Sequence, residues 1–150
     1  MSKVDDLIQA ETDGSCAYCG IRDQRVLTVH HINQRKPKDE SYGNKILLCH
    51  NCHQLYHQKK GPSLNDLRAI KRRLIGKTLT KQGVNALKEA YRSGIVSASP
   101  YIVNHLVEMQ LLKQVRPHFV HEVDEKKTVG TAIYELTPGG KAFTEKWRLK

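Results

Sequence analysis

The sequence predicts an α+β protein made of two small domains, residues 1–61 and residues 62–150. Three observations predict it: a first segment rich in cysteine and histidine, three helical hydrophobic patterns after Leu64, and two strand-like segments near the C-terminus. With 150 residues, 39% of them hydrophobic, the chain is long enough for one ordinary domain or two small ones. Gly61-Pro62 follows the Cys/His-rich segment and is a strong helix stop, which places the boundary there.

The composition predicts a cytoplasmic protein without a membrane partner. No apolar run approaches the length needed to cross a bilayer. The first residues, MSKVDDLIQAETDGSC, carry acids where a secretory signal would be apolar. In a reducing cytoplasm the four cysteines are expected to be thiols rather than disulfides.

The positive charge is concentrated in the second segment. The chain has a formal net charge of +10. Residues 1–60 carry nine Lys/Arg against seven Asp/Glu, a net of +2, and residues 61–150 carry sixteen against eight, a net of +8. A polyanion such as nucleic acid fits that surface, although a charged surface that only keeps the protein soluble is the alternative.

Two CxxC pairs form the clearest metal-binding motif. Cys16 and Cys19 form one pair, and Cys49 and Cys52 form the other. Each pair presents two thiolates to one ion, and the two pairs together close a tetrahedral shell around a structural Zn²⁺. The pairs are separated by 29 residues, more than in the commonest zinc ribbons, so a further element lies between them.

Four histidines predict a second site near the first. Neighbouring side chains on a strand point to opposite faces, so His30 and His31, in the stretch VHHI, are expected to have two different roles. His53 and His57 are four residues apart and share one face of a helix. Because four cysteines already fill a zinc shell, the histidines predict a second metal ion.

These motifs, with the stretch GNKILLC that begins at Gly43, resemble the HNH endonucleases, also called ββα-metal nucleases. The resemblance covers residues 16–57. It implies a small zinc-stabilised ββα-metal domain in which His31 is the general base and the side-chain amide of Asn44 holds the loop that aims this base. The residues that resemble the metal ligands of the family are His30, His53 and His57.

The resemblance implies hydrolysis of phosphodiester bonds in DNA, with RNA as a further candidate substrate. An imidazole that titrates near pH 6.5 is a competent base at neutral pH, and a divalent cation supplies a Lewis acid. The family often has Asp where this chain has His30, so Mg²⁺, Mn²⁺, Ni²⁺ and Zn²⁺ all stay open. A homodimer, which nucleases of this size often use to cut both strands, also stays open.

The second segment begins with three predicted helices. The first starts at Leu64 and ends at Gly76. The second follows Thr80 and ends at Ser93-Gly94, and the third runs from Ser99-Pro100 to about Leu112. The basic residues of the first helix have two interpretations, contacts with the phosphates of a nucleic acid or a solvated face. These residues are Arg68, Lys71, Arg72 and Arg73.

After the helices the pattern changes to a hairpin and a closing helix. VRPHFVHEV and TAIYEL are predicted strands, joined by the turn DEKKTVG, and Thr137-Pro138 begins the last helix. This order predicts a winged helix-turn-helix domain, and YELTPGGKAF resembles the end of the wing in bacterial winged-helix regulators. A winged helix favours double-stranded DNA. The predicted DNA contacts are Tyr101, Asn104, His105, Lys126 and Lys127.

Together the two segments predict a DNA endonuclease with a C-terminal DNA-binding domain, an arrangement shared by analogy with phage, mobile-element and restriction proteins. The alternative is a non-catalytic zinc-containing DNA-binding regulator, in which the histidines have no joint role. The number of bound metal ions separates the two hypotheses, because the regulator needs one tight zinc and the nuclease needs a second, exchangeable ion.

Overall fold

The structure is a computed structural model that describes residues 2–149. It contains both helices and strands, as predicted, and it divides into two compact units, Met1–Thr78 and Leu79–Lys150. Within the described residues, no helix combines the length and apolar character needed to span a membrane.

The first unit is built on a β–β–α core, the element order that the HNH resemblance implies. Strand β1 (Leu27–His31) pairs antiparallel with β2 (Lys45–Cys49), and helix α2 (His50–His57) follows directly. All five residues of β2 are buried, which makes this strand the centre of the unit. A short N-terminal helix, α1 (Lys3–Glu11), was not predicted and begins with a capping box.

The helix that begins at Leu64 packs against the first unit, so the compact unit extends beyond the predicted boundary at Gly61-Pro62. Leu67 is fully buried in the same hydrophobic cluster as residues of β2. One turn later, Lys71 Nζ lies 2.7 and 3.0 Å from the two carboxylate oxygens of Glu11, and both side chains are fully buried. Removing one member of such a buried pair costs about 3–5 kcal/mol, so this helix is a structural part of the first unit.

Burial dominates the electrostatics of this ion pair. It lowers the pKa of Lys71 to about 8, although the carboxylate of Glu11 acts in the opposite direction. The hydroxyl of Tyr42 donates to the same carboxylate at 2.5 Å, and the ammonium of Lys71 lies 3.7 Å from the centre of the Tyr42 ring. The pair therefore ties α1 and the helix after Leu64 to the segment that leads into β2.

Helix α3 spans Leu64–Ser93, and the predicted end at Gly76 is wrong. A glycine inside a helix costs only about 1 kcal/mol, and the buried side chains of Ile75 and Leu79 on either side offset that cost. The helical geometry is interrupted instead at Thr80, where φ is 62° and ψ is 165°. This residue lies next to the division between the two units.

The second unit combines helices with a three-stranded antiparallel sheet in the order β3-β5-β4. Its elements are the end of α3, β3 (Ile95–Ala98), α4 (Pro100–Glu108), β4 (Leu112–Val123), β5 (Lys126–Leu136) and α5 (Pro138–Lys146). The three predicted helices are all present, because α3 is interrupted at Thr80 and resumes after it as predicted, but the division after Thr78 leaves the first of them in the first unit. The strand β3 was not predicted. The winged-helix assignment stays a prediction.

Two boundaries in this unit differ from the sequence predictions. Helix α4 ends at Glu108, not near Leu112, because Gln110 takes a φ of 61° and turns the chain into β4. The hairpin turn is formed by Asp124 and Glu125, whose φ angles are 51° and 64°, the geometry of a tight two-residue turn. The predicted turn DEKKTVG is therefore too long, and β5 begins at Lys126.

Gly140 is required by close packing in the second unit. A Cβ atom at this position would lie 2.0 Å from the carbonyl oxygen of Leu111. We expect Gly140→Ala to lower the free energy of unfolding by about 1–3 kcal/mol, measured by thermal or denaturant unfolding. Gly139→Ala is the matched control, since its Cβ would meet only Thr137 Oγ1 and Gln110 O at 3.8 and 4.0 Å. Equal stability of the two variants would contradict the prediction.

Candidate active site and metal centres

The four cysteines form one cluster in the first unit. Cys49 ends β2, Cys52 lies in the first turn of α2, and Cys16 and Cys19 approach from the loop before β1. All four sulfur atoms lie within 4.8 Å of one another, and Cys19 Sγ lies 3.7 Å from Cys49 Sγ. Two thiolates on one tetrahedral zinc ion, each at about 2.3 Å, would be about 3.8 Å apart. The cluster is compatible with a structural zinc site.

Backbone hydrogen bonds shape both cysteine pairs. In the first, the amide of Gly20 donates to the carbonyl of Cys16 at 2.9 Å, and Gly20 takes a φ of +79° that favours glycine. In the second, Cys49 caps α2, and its sulfur accepts a hydrogen bond from the amide of Cys52 at 3.4 Å. These turns hold the sulfur atoms on the same side of the chain.

The environment of Cys16 favours its thiolate form. Burial raises the pKa of this thiol, but hydrogen bonds from the backbone at Cys19, Cys49 and Tyr18 outweigh burial and lower the pKa to about 7. A thiolate is the form that binds a metal ion. Burial and the neighbouring sulfur atoms raise the pKa of Cys52 instead, so the preference for the thiolate form holds for Cys16 and not for the whole cluster.

Three histidines form a second cluster at the β1–α2 junction. His30 lies on β1, and His53 and His57 lie one turn apart on α2. Their ligand atoms all lie within 4.8 Å of one another, and the Nε2 atoms of His53 and His57 are 3.3 Å apart. Two imidazole nitrogens bound to one tetrahedral zinc ion, with each Zn–N distance at about 2.0–2.1 Å, would be separated by about 3.3 Å. The histidine cluster is therefore compatible with a shared metal ion.

His30 has the features of a ligand rather than of an ordinary core residue. It is 1% exposed, and neither of its ring nitrogens has a hydrogen-bond partner among the described residues. Burial, together with the charges of His53 and His57, lowers its pKa to about 4. Because buried polar atoms are rarely left without a partner, a neutral imidazole in this position fits a metal ion.

His31 lies beside this cluster. A cavity of 260 Å³ is lined by His31, by the three clustered histidines, and by Val29, Gln34 and Lys38. The Nε2 atom of His31 lies 2.9 Å from Glu40 Oε1, and 18% of its side chain is exposed. The structure thus brings the predicted base to the same cavity as the predicted ligands.

Asn44 holds the loop between the two strands. Its side chain is buried and uses both ends of the amide. Oδ1 accepts from the amide of Asn33 at 2.8 Å, and Nδ2 donates to the carbonyls of Asn33 and Asp39 at 3.0 and 2.9 Å. The side chain therefore links the loop at Asn33 and at Asp39, and its role in aiming His31 stays a prediction.

The predicted DNA contacts lie in the second unit. Tyr101 is 94% exposed, and the amide of Asn104 donates to Glu108 at 3.2 Å. His105 is half-buried, and its Nε2 lies 3.1 Å from the carbonyl oxygen of Leu79, so this ring takes part in packing within the unit. Lys126 and Lys127 are exposed in β5, next to the hairpin turn.

Sequence reasoning missed three residues of the histidine cavity and its surroundings. Gln34 and Lys38 line the cavity, and Glu40 contacts His31 from outside it. All three belong to the irregular loop between β1 and β2, where no periodic pattern relates one position to another. The only available signal was the short distance in sequence from His31.

The comparisons with known proteins agree with this geometry. Residues 16–59 match the model of the HNH endonuclease family. No curated protein and no solved structure gives a significant match to the chain. The matched segment contains both metal-compatible clusters, His31 and Asn44. Residues 16–59 are therefore similar to an HNH endonuclease domain, which indicates a nuclease or DNA-binding function.

Proposed function

We propose that the protein is a metal-dependent DNA endonuclease that hydrolyses phosphodiester bonds at the histidine cavity. The observation that carries this proposal is His30, a buried imidazole without a hydrogen-bond partner among the described residues, placed against His53 and His57. A zinc scaffold alone would not need this arrangement, because the cysteine cluster already supplies four ligands.

His30, His53 and His57 would hold one divalent cation, whose open positions would polarise the phosphate and stabilise the departing oxygen. Imidazole ligands suit Zn²⁺, Ni²⁺ and Mn²⁺, whereas Mg²⁺ prefers oxygen ligands. Three ligands do not complete a coordination shell, in contrast to the four cysteines. The two clusters would thus serve catalysis and folding, respectively.

His31 would act as the general base. A neutral imidazole can take the proton of the attacking water, and this side chain lines the cavity next to the ligands. Asn44 would keep the loop in place by its three hydrogen bonds. The side chain of Lys38, which lines the same cavity, would attract the phosphate.

The first unit also carries positive charge for DNA. With the division after Thr78, it has fourteen Lys/Arg against eight Asp/Glu, a net of +6, and the second unit has eleven against seven, a net of +4. The basic residues are thus shared between the units, unlike the distribution predicted from a boundary at residue 61.

Two exposed arginines lie on α3 near the site. Arg68 and Arg72 follow Leu64 by one and two helical turns. Leu64 and His57 line a common cavity of 540 Å³, so the two arginines could follow phosphates away from the site.

The second unit would bind duplex DNA as a winged helix. The hairpin of β4 and β5 is exposed on both strands near its turn, and the sheet order β3-β5-β4 places β5 between the other two strands. Lys126 and Lys127 would contact DNA from the hairpin, and Tyr101 and Asn104 from α4. A homodimer would supply a second cutting site for the other strand.

The direct test is a cleavage assay with the full chain. Supercoiled plasmid is incubated with the protein and Mg²⁺, Mn²⁺, Ni²⁺ or Zn²⁺, and the cut ends are mapped. We expect nicked or linear products with at least one of these metals and none in excess chelator. Intact plasmid under every metal, with a folded protein that still holds its zinc, would contradict the proposal.

Counting the metal ions bound per chain tests the proposal without a measurement of DNA cleavage. We expect wild type to bind two divalent ions per chain, one tight and one exchangeable, as measured by elemental analysis and calorimetry. His30→Ala should keep the tight ion and lose the exchangeable one. A single ion in wild type would favour the non-catalytic zinc-containing DNA-binding regulator, which the four-cysteine cluster alone would support.

A further inference from the structure

We propose that Glu40 is a positioning residue that holds His31 through Nε2 and leaves Nδ1 to take the proton of the attacking water. This inference rests on the proposed function, because it assigns the reacting nitrogen of the proposed base. It begins from a contact that the sequence did not predict: Glu40 Oε1 lies 2.9 Å from His31 Nε2.

Glu40 is fixed by a second contact on its other oxygen. Its Oε2 lies 2.8 Å from Lys45 Nζ, and Lys45 is directly opposite His31 in the register of β1 and β2. The Lys45 side chain is only 6% exposed, so its ammonium has little freedom to move. A mostly exposed carboxylate is thus held between one charged side chain and the imidazole.

The positive charge of Lys45 has a carboxylate partner even without Glu40. Lys45 Nζ also lies 3.0 Å from Asp5 Oδ1 in the first turn of α1. The ammonium therefore already has one carboxylate partner, and the second carboxylate brings an acceptor to the imidazole. The hydrogen bond from Lys45 also holds the pKa of Glu40 below its usual range, so the carboxylate stays ionised near neutral pH.

The contact fixes which nitrogen of His31 can react. An ionised carboxylate only accepts hydrogen bonds, so the imidazole must donate Nε2–H to Glu40 and carry its free electron pair on Nδ1. In the reaction the water oxygen would bond to phosphorus while its proton passes to Nδ1. The bond from phosphorus to the sugar oxygen would break, and that oxygen would take a proton from solvent. The imidazolium formed on His31 would face the negative charge of Glu40.

Variants of Glu40 test this role in the full chain with both metal sites loaded. We expect Glu40→Ala to lower kcat about 10–100-fold, the range found when a partner that orients a metal-binding histidine is lost and taken here for a histidine base held in the same way. The KM for DNA and metal binding by the histidine cluster should change less than about twofold, since Glu40 contacts neither in the proposal. Glu40→Gln keeps an oxygen acceptor and should retain more activity than Glu40→Ala.

Asp13→Asn is the matched control. It removes the same charge from an exposed residue of the first unit, and its φ of 52° is one that asparagine also adopts readily. We expect it to cleave DNA at the wild-type rate. Melting temperatures of all three variants show whether a loss of activity is a loss of folding.

Nitrogen NMR of the His31 ring gives a readout that needs no activity. We expect the Nε2–H form in wild type and a mixture of both tautomers in Glu40→Ala. The Nδ1–H form in wild type, or an active wild type whose kcat is unchanged in a folded Glu40→Ala, would overturn the inference. If wild type cuts no DNA under any metal, the proposed function fails, and the NMR result alone decides whether Glu40 holds His31.

Discussion

Replacing His31 with alanine is expected to lower the rate of DNA cleavage by about 10²–10⁴-fold, the usual contribution of a positioned general base. Among the described residues that line the cavity, His31 is the one imidazole outside the metal-compatible cluster of His30, His53 and His57. Binding of DNA and of the exchangeable metal should persist in His31→Ala. Cleavage kinetics at saturating metal, with DNA binding measured by fluorescence anisotropy in chelator, check both parts.

The control for this variant is His50→Ala. His50 is exposed at the start of α2, in the same unit, and does not belong to the histidine cluster. We expect it to cleave at close to the wild-type rate. If His31→Ala and wild type cut equally fast with every metal, His31 is not the base.

Removing the ion from the cysteine cluster is expected to unfold the first unit. Cys16, Cys49 and Cys52 are buried in the same hydrophobic cluster as Ile46 and Leu48. Structural zinc contributes about 10–16 kcal/mol in zinc-finger peptides, comparable with the 5–15 kcal/mol that stabilises a whole domain. Cys52→Ala should therefore lose the tight ion together with the helical circular dichroism of this unit.

A variant of the histidine cluster that keeps the zinc of the cysteine cluster separates the effect on folding from the effect on catalysis. His30→Ala should keep the tight zinc and the folded first unit, while it loses cleavage. A strong chelator added to wild type should reproduce the unfolding seen for Cys52→Ala, and added zinc should reverse it. A Cys52→Ala protein with unchanged unfolding temperature would show that the cluster does not stabilise the fold.

Local spacing made the two metal-compatible clusters predictable. A CxxC pair is a single turn of chain, and residues four apart on a helix share a face, so the ligand sets Cys49/Cys52 and His53/His57 depend on a few neighbouring residues. The role of Asn44 came from the family resemblance instead; the structure shows its hydrogen bonds to the loop, and its effect on His31 stays a prediction.

Features that depend on distant partners were not predictable. Lys71 belongs to an amphipathic helix, but its buried partner, Glu11, lies sixty residues earlier, so the sequence suggested a solvated or phosphate-binding residue. The packing of the first part of α3, at Leu67, against residues of β2 was not predicted for the same reason. In the hairpin, the positive φ of Asp124 and Glu125 was unexpected because non-glycine residues adopt it less often, and the turn was predicted too long.

The buried pair of Lys71 and Glu11 limits how this protein can be divided or recombined. A fragment ending at residue 61 would carry the two metal-compatible clusters but would leave the carboxylate of Glu11 without its ammonium and expose the surface that Leu67 covers. We expect such a fragment to aggregate. A piece that continues to Thr78 keeps this partner, so we expect the smallest stable fragment that carries both clusters to end within a helix rather than at the Gly61-Pro62 stop.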